Sequence, residues 1–216
     1  MGKVSLKSVS AFNLLSLSVT LVHMMTGGYL TKYADVIRNP EYAVKTLVVT
    51  IAVLTFCGSF IFSWTDLPKW RASSMAKGGV LYLASTAFIH GIAVLYGAPF
   101  IESASETFHF SWLLATAAVL PPCALLGTHS DSWLRVFARN SPEPGVESSV
   151  HLTTLCSIIG AWLGAFPIPL DWDRPWQVWP RSCVIGTLLG YCVGHLLSAV
   201  HLIRQHRQLP KHKKFT

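Results

Sequence analysis

Six stretches of this 216-residue chain contain no Asp, Glu, Lys or Arg: residues 8–31, 46–65, 78–101, 107–130, 148–170 and 182–203. A helix needs about 20 apolar residues to cross the hydrocarbon core of a bilayer, and each stretch is long enough. Within that core every backbone N–H and C=O has to be satisfied internally, so runs of this length cross as helices. The expected fold is all-α, a polytopic integral membrane protein with six transmembrane helices. Their cores are predicted near 9–29, 46–63, 79–98, 109–127, 150–168 and 182–203, forming one membrane domain over 1–216. The second is the weakest, because Thr46, Thr50, Thr55 and Ser59 interrupt it. The first follows Lys3 and Lys7 as a signal peptide would. It is longer than a usual signal core and lacks a small-x-small cleavage site, so it is read as an uncleaved span.

Charge then orients the spans. Only 12% of the chain is charged, about half the share of a soluble domain, which is roughly 25%. With so little chain outside the runs, no separate folded domain is expected. The net charge of +7 sits at the edges of apolar runs, which is a topology signal and not the contiguous basic face of a nucleic-acid binder. An even number of spans puts both termini on one side. That side carries Lys3, Lys7, Lys69, Arg71, Lys77, Arg135, Arg139, Arg204, Arg207, Lys211, Lys213 and Lys214; the other carries Lys32, Arg38, Lys45, Arg174 and Arg181. This imbalance predicts cytoplasmic termini and a cytoplasmic tail over 204–216. Loops 31–45, 99–108 and 169–181 then face the lumen or exterior. The longest polar loop, 128–148, contains Ser141-Pro142-Glu143-Pro144-Gly145 and reads as a flexible cytoplasmic linker.

Catalytic patterns are missing from this inventory. The span cores hold no charged side chain, which disfavours a small proton-coupled transporter. There is no H-E-x-x-H, no G-x-S-x-G and no Asp-rich metal repeat. Cys57, Cys123, Cys156, Cys183 and Cys192 form no CxxC pair and read as small buried hydrophobes. His23 and His90, predicted towards the luminal half, are too few to build a metal centre. Either they bond carbonyls and hydroxyls between helices or they meet a lipid head group or partner helix. No cofactor and no metal site is expected in this chain.

Two features remain. Gly186, Gly190 and Gly194 recur every four residues in the sixth span, and Gly160 and Gly164 do so in the fifth. Such rows let helix backbones approach closely in lipid. They read either as a contact between spans five and six or as a groove for a helix of another subunit. Pro121-Pro122 should kink the fourth span and free carbonyls that need other partners. The second feature is the connector Ala165–Pro180, with four prolines, three tryptophans, Asp171, Asp173 and Arg174. The prolines forbid a regular helix. The indoles of Trp172, Trp176 and Trp179 belong at the membrane–water boundary, as anchors or as a recognition surface. An Asp–Arg pair would lower the cost of charge near lipid.

The connector sequence Pro-Leu-Asp-Trp-Asp-Arg-Pro-Trp-Gln-Val-Trp-Pro resembles the signature of the PIG-F family of glycosylphosphatidylinositol (GPI) biosynthesis, over Ala165–Pro180. The resemblance implies a non-catalytic stabilising subunit of the endoplasmic-reticulum ethanolamine phosphate transferases, the PIG-O and PIG-G complexes, which modify mannoses of the GPI precursor. It implies that phosphatidylethanolamine is the donor and that the metal sits in the catalytic partner. The candidate partner or lipid contacts are Asp171, Trp172, Asp173, Arg174, Trp176, Trp179, Gly186, Gly190, Gly194, His23 and His90. The alternative is a lipid-binding or lipid-presenting protein that takes part directly in transfer. Lys213 and Lys214 resemble a dilysine retrieval signal, consistent with that compartment; a lipid-facing basic patch is the other reading.

Overall fold

The computed structural model describes residues 5–29, 40–63, 72–170 and 172–212. Asp171, Lys213 and Lys214 lie outside the described residues. Among the described residues the regular structure is helical: α1 (Leu6–Tyr29), α2 (Pro40–Ser63), α3 (Ala72–Leu95), α4 (Ala104–Ala118), α5 (Leu120–Leu125), α6 (Ser130–Trp133) running into a π-turn over Leu134–Ala138, α7 (Val146–Ala165) and α8 (Arg181–His212). Six spans are long and apolar enough to cross a membrane, with α4 and α5 together forming the fourth.

The hydroxyls that weakened the second run are satisfied within it. Thr46, Thr50, Thr55 and Ser59 donate to the carbonyls of Ala43, Thr46, Ile51 and Phe56 at 2.8–2.9 Å. Back-bonding of this kind removes the penalty for a bare hydroxyl in hydrocarbon. The fourth run breaks where the prolines require it. Pro122 has no N–H for the Ala118 carbonyl, and Thr154 of α7 supplies the missing donor at 3.1 Å. The proline pair therefore fixes a contact between two spans as well as a bend.

α8 is the axis of the bundle. Val184, Leu188 and Tyr191 pack with Val44, Leu47 and Ile51 of α2 and with Phe110 and Leu113 of α4. Nearer its C-terminal end, Leu202 packs with Val9 of α1, Phe62 of α2, Leu125 of α5, and Val146 and Val150 of α7. α3 packs along α4 and α5 and lies at the edge: 11% of its span is buried, against 67% of the fourth. The sixth helix outruns its uncharged stretch. At about 1.5 Å per residue the 32 residues of α8 span about 48 Å, well beyond a ~30 Å core. The segment expected as a tail from residue 204 thus continues as helix to His212.

The loop over 128–148 is not the flexible linker its Pro-Gly composition suggested. Val136 is fully buried, and the Trp133 indole donates to the Gly127 carbonyl at 2.8 Å. Arg135 reaches Glu143 at 2.8 Å and also pairs with Glu147. Gly145, at φ 120°, turns the chain into α7 through a conformation that costs other residues more. A buried valine and a two-carboxylate clamp hold the loop, and composition alone carries no sign of either.

Candidate functional site

The glycine rows meet face to face. A methyl group on Gly160 would lie 2.2 Å from the Gly186 carbonyl oxygen, and one on Gly186 would lie 2.2 Å from the Gly160 oxygen. One on Gly190 would strike the Cys156 carbonyl at 2.1 Å, one on Gly164 the Ser182 carbonyl at 2.4 Å, and one on Gly194 the Thr153 Cα at 2.6 Å. Backbone therefore touches backbone along the α7–α8 seam, the close approach that small residues permit in lipid. The contact within the chain, one of the two readings left open by the spacing, is present.

Alongside that seam runs an open apolar groove of about 430 Å³. Gly160 and Gly186 form part of its floor. Its walls are Ile159 and Leu163 of α7 and Leu189 and Val193 of α8, each about half exposed. Pro167 and Trp176 of the connector stand at one end. The glycines let the two helices touch, and the groove opens beside that contact between the larger side chains of its walls.

The connector is a succession of turns. Phe166, Ile168 and Leu170 each donate to the carbonyl three residues back, at 3.0–3.2 Å. Asp173 adopts φ 48°, and Gln177 N–H closes a turn onto the Arg174 carbonyl at 2.9 Å. The Gln177 side chain, 7% exposed, cross-links the connector. Its Nε2 donates to the Pro167 carbonyl at 2.5 Å, and its Oε1 accepts from the Arg174 N–H at 3.4 Å. The Arg181 guanidinium donates to the Pro175 carbonyl at 2.8 Å.

The three indoles occupy different settings. The Trp179 Nε1–H donates to Thr107 Oγ1 of α4 at 2.9 Å, and its ring stands edge-on to Phe110 at 5.4 Å. Trp172, 54% exposed, leans on Trp176 at 6.1 Å. Trp179 is thus an internal anchor, and Trp172 and Trp176 are the indoles that border the groove and the surface. Asp173 and Arg174 are exposed beside them. Trp179→Phe keeps the ring contact and loses the hydrogen bond. It is expected to lower stability by about 1 kcal/mol, read as a small drop in melting temperature; an unchanged melt would mean the bond contributes nothing.

His23 and His90 are held by different neighbours. His23 bridges α1 to α2 through Thr46 at 3.1 Å and Thr50 at 3.2 Å, one hydroxyl at each ring nitrogen. His90 lies on α3, whose neighbours are α4 and α5, and its Nδ1 is buried without a protein partner.

The polar centre that charge and histidine counting missed is on α1. Asn13, fully buried, donates from Nδ2 to the Val9 carbonyl at 2.9 Å. Its Oδ1 accepts from Ser149 of α7 at 2.8 Å and from His195 Nδ1 of α8 at 2.6 Å. A period of three to four in α1 (Val9, Asn13, Ser16 and Thr20, all buried) is the signal that could have found it.

These features define a class: a polytopic membrane protein whose buried polar groups join helices. Among the described residues no three His, Cys, Asp or Glu side chains come together as a metal site. The chain belongs to the GPI biosynthesis protein family Pig-F, whose family model matches residues 19–199. It is 46% identical over 139 residues to a human protein and 49% identical over 139 residues to a mouse protein, both named "GPI ethanolamine phosphate transferase, stabilizing subunit". These matches cover 64% of this chain and 64% of each relative's length. A Yarrowia lipolytica protein named "Glycosylphosphatidylinositol anchor biosynthesis protein 11" is 43% identical over 108 residues, covering 50% of this chain and 47% of the relative. No solved structure matches the chain.

Proposed function

We propose that this chain is a non-catalytic stabilising subunit of the ethanolamine phosphate transferases that modify mannoses of the GPI precursor, the PIG-O and PIG-G complexes. It holds a transmembrane helix of the catalytic subunit in the α7–α8 groove. The observation that carries this reading is the groove itself, about 430 Å³ and apolar, with connector residues at one end. Its walls repeat at four-residue spacing, Ile159 with Leu163 and Leu189 with Val193, which is the ridge spacing that a packed helix meets. The relatives' names add that such a subunit stabilises a transferase.

The positive-inside imbalance puts both termini in the cytoplasm, with Trp172, Asp173 and Arg174 at the luminal edge. Asp171 belongs with them by sequence, and Lys213 and Lys214 serve retrieval to the endoplasmic reticulum. Chemistry and its metal then belong to the partner's luminal domain, with phosphatidylethanolamine as donor.

The test fills the groove from its walls. Leu163→Trp and Val193→Trp add bulk on the open side and leave the glycine seam untouched. Each is expected to reduce co-purification of the tagged transferases at least tenfold, about 1.4 kcal/mol of association, with the chain itself still monodisperse. Leu83→Trp, on the exposed edge helix α3, is the control and should leave recovery unchanged. Undiminished recovery with folded groove variants would overturn helix docking. Loss of bound lipid with unchanged partner recovery would make the groove a lipid site instead.

A further inference from the structure

We infer that one buried water molecule binds beside His195 and completes the polar junction of α1, α7 and α8. The argument begins with the Asn13 amide. Its Nδ2 donates to the Val9 carbonyl, which fixes Oδ1 as the oxygen facing Ser149 and His195. An amide oxygen only accepts, so His195 Nδ1 carries the proton and Ser149 donates its hydroxyl hydrogen. In a neutral imidazole with Nδ1 donating, Nε2 is a bare acceptor. That atom is buried and has no protein partner, on a residue 6% exposed.

His195 borders a cavity of about 20 Å³. A water needs about 10–15 Å³ of such volume and two to four polar partners. This cavity therefore has room for a water. Its polar lining is Thr55, Ser149, Thr153, Tyr191 and His195. The hydroxyl hydrogens of Thr55 and Thr153 are engaged with helix carbonyls at 2.8 Å and 3.0 Å, and that of Ser149 with Asn13. Their oxygens remain able to accept. The water donates one hydrogen to His195 Nε2 and the other to a hydroxyl oxygen of α7. An acceptor buried in hydrocarbon surroundings without a donor is costly, and the water removes that cost. His195 thus joins α1 directly and α7 through solvent.

The experiment is nitrogen-15 magnetic resonance on the full chain in lipid nanodiscs, with histidine labelled. The His195 signal is assigned by its absence in His195→Gln or, if that variant does not fold, by its contact with the Tyr191 ring, 4.5 Å away. The expected result is a protonated Nδ1, an unprotonated Nε2 and magnetisation transfer from water to that ring. A ring protonated at Nε2, or an unprotonated Nε2 without transfer from water, overturns the proposal. Thr153→Leu, which fills the cavity, is expected to abolish the transfer; persistence of the transfer in that variant would also overturn it.

Discussion

A single methyl group at Gly190 is expected to open the α7–α8 seam, whereas the same change at Gly79 or Gly91 leaves the fold intact. The difference lies in what the new carbon meets. At Gly190 it would lie 2.1 Å from the Cys156 carbonyl oxygen and 2.8 Å from the carbonyl carbon. Both are backbone atoms of a neighbouring span, so relief requires moving a whole helix. Overpacking usually costs about 1–3 kcal/mol. A clash with backbone should reach the upper end, about 3 kcal/mol, or roughly a hundredfold in the folded-to-unfolded ratio. Gly160→Ala and Gly186→Ala should behave alike, since each would strike the other's carbonyl at 2.2 Å. At Gly79 and Gly91 nothing lies within 4 Å. There alanine gains up to about 1 kcal/mol of helix propensity and loses nothing. Gly58 falls between, because its nearest atoms belong to the Phe12 side chain at 2.4 Å, and a ring can turn. Thermal unfolding of the six variants in one detergent reads the series. Equal melting temperatures for Gly190→Ala and Gly79→Ala would remove the seam from the account. The same geometry makes Gly190 a poor site for testing partner docking, because substitution there damages this chain before it reaches any neighbour.

How much of this was legible in advance depends on the kind of information. The rule that lipid admits no bare charge acts on every residue of a span, so six uncharged runs located six helices. Proline chemistry is equally local, and Pro121-Pro122 marked the break between α4 and α5. The glycine spacing announced a seam and left open whose helix would fill it. That answer depends on how α7 and α8 lie across the folded connector, where Gln177 and Trp179 carry the contacts. Gln177 is a neutral amide in a run of prolines and indoles, and nothing in its residue type marks it as the cross-link it forms. The loop over 128–148 misled because Pro and Gly report backbone preference, whereas order there comes from Val136 and from Arg135 with its two carboxylates. Asn13 escaped because a neutral amide does not interrupt an uncharged run, and its partners Ser149 and His195 are 136 and 182 residues away. His23 and His90 drew attention by type alone. Their helices, α1 and α3, have different neighbours, so a shared chemistry does not follow from a shared residue name.

Asn13→Leu is expected to be the most damaging substitution in α1, and a second change at His195 should undo part of the damage. Asn13 Oδ1 accepts from two donors, Ser149 at 2.8 Å and His195 at 2.6 Å. Leucine leaves both donors buried and unpaired. Each orphaned group costs about 1–3 kcal/mol by the general scale. Polar contacts within membranes lie lower, averaging about 0.6 and reaching about 1.7 kcal/mol. Two such losses come to about 3 kcal/mol at the membrane maximum. The single variants Asn13→Leu and His195→Leu should therefore melt well below the parent chain. Replacing both partners removes donor and acceptor together, which general experience finds close to neutral. The double variant should accordingly be less destabilised than the sum of the two singles by about 1 kcal/mol or more. Strict additivity would mean that the 2.6 Å contact carries no coupling and that α1 is held to α8 by its apolar neighbours alone. Val9 and Leu202 would then be the residues whose truncation detaches the helix, and the amide would be a passenger in the seam.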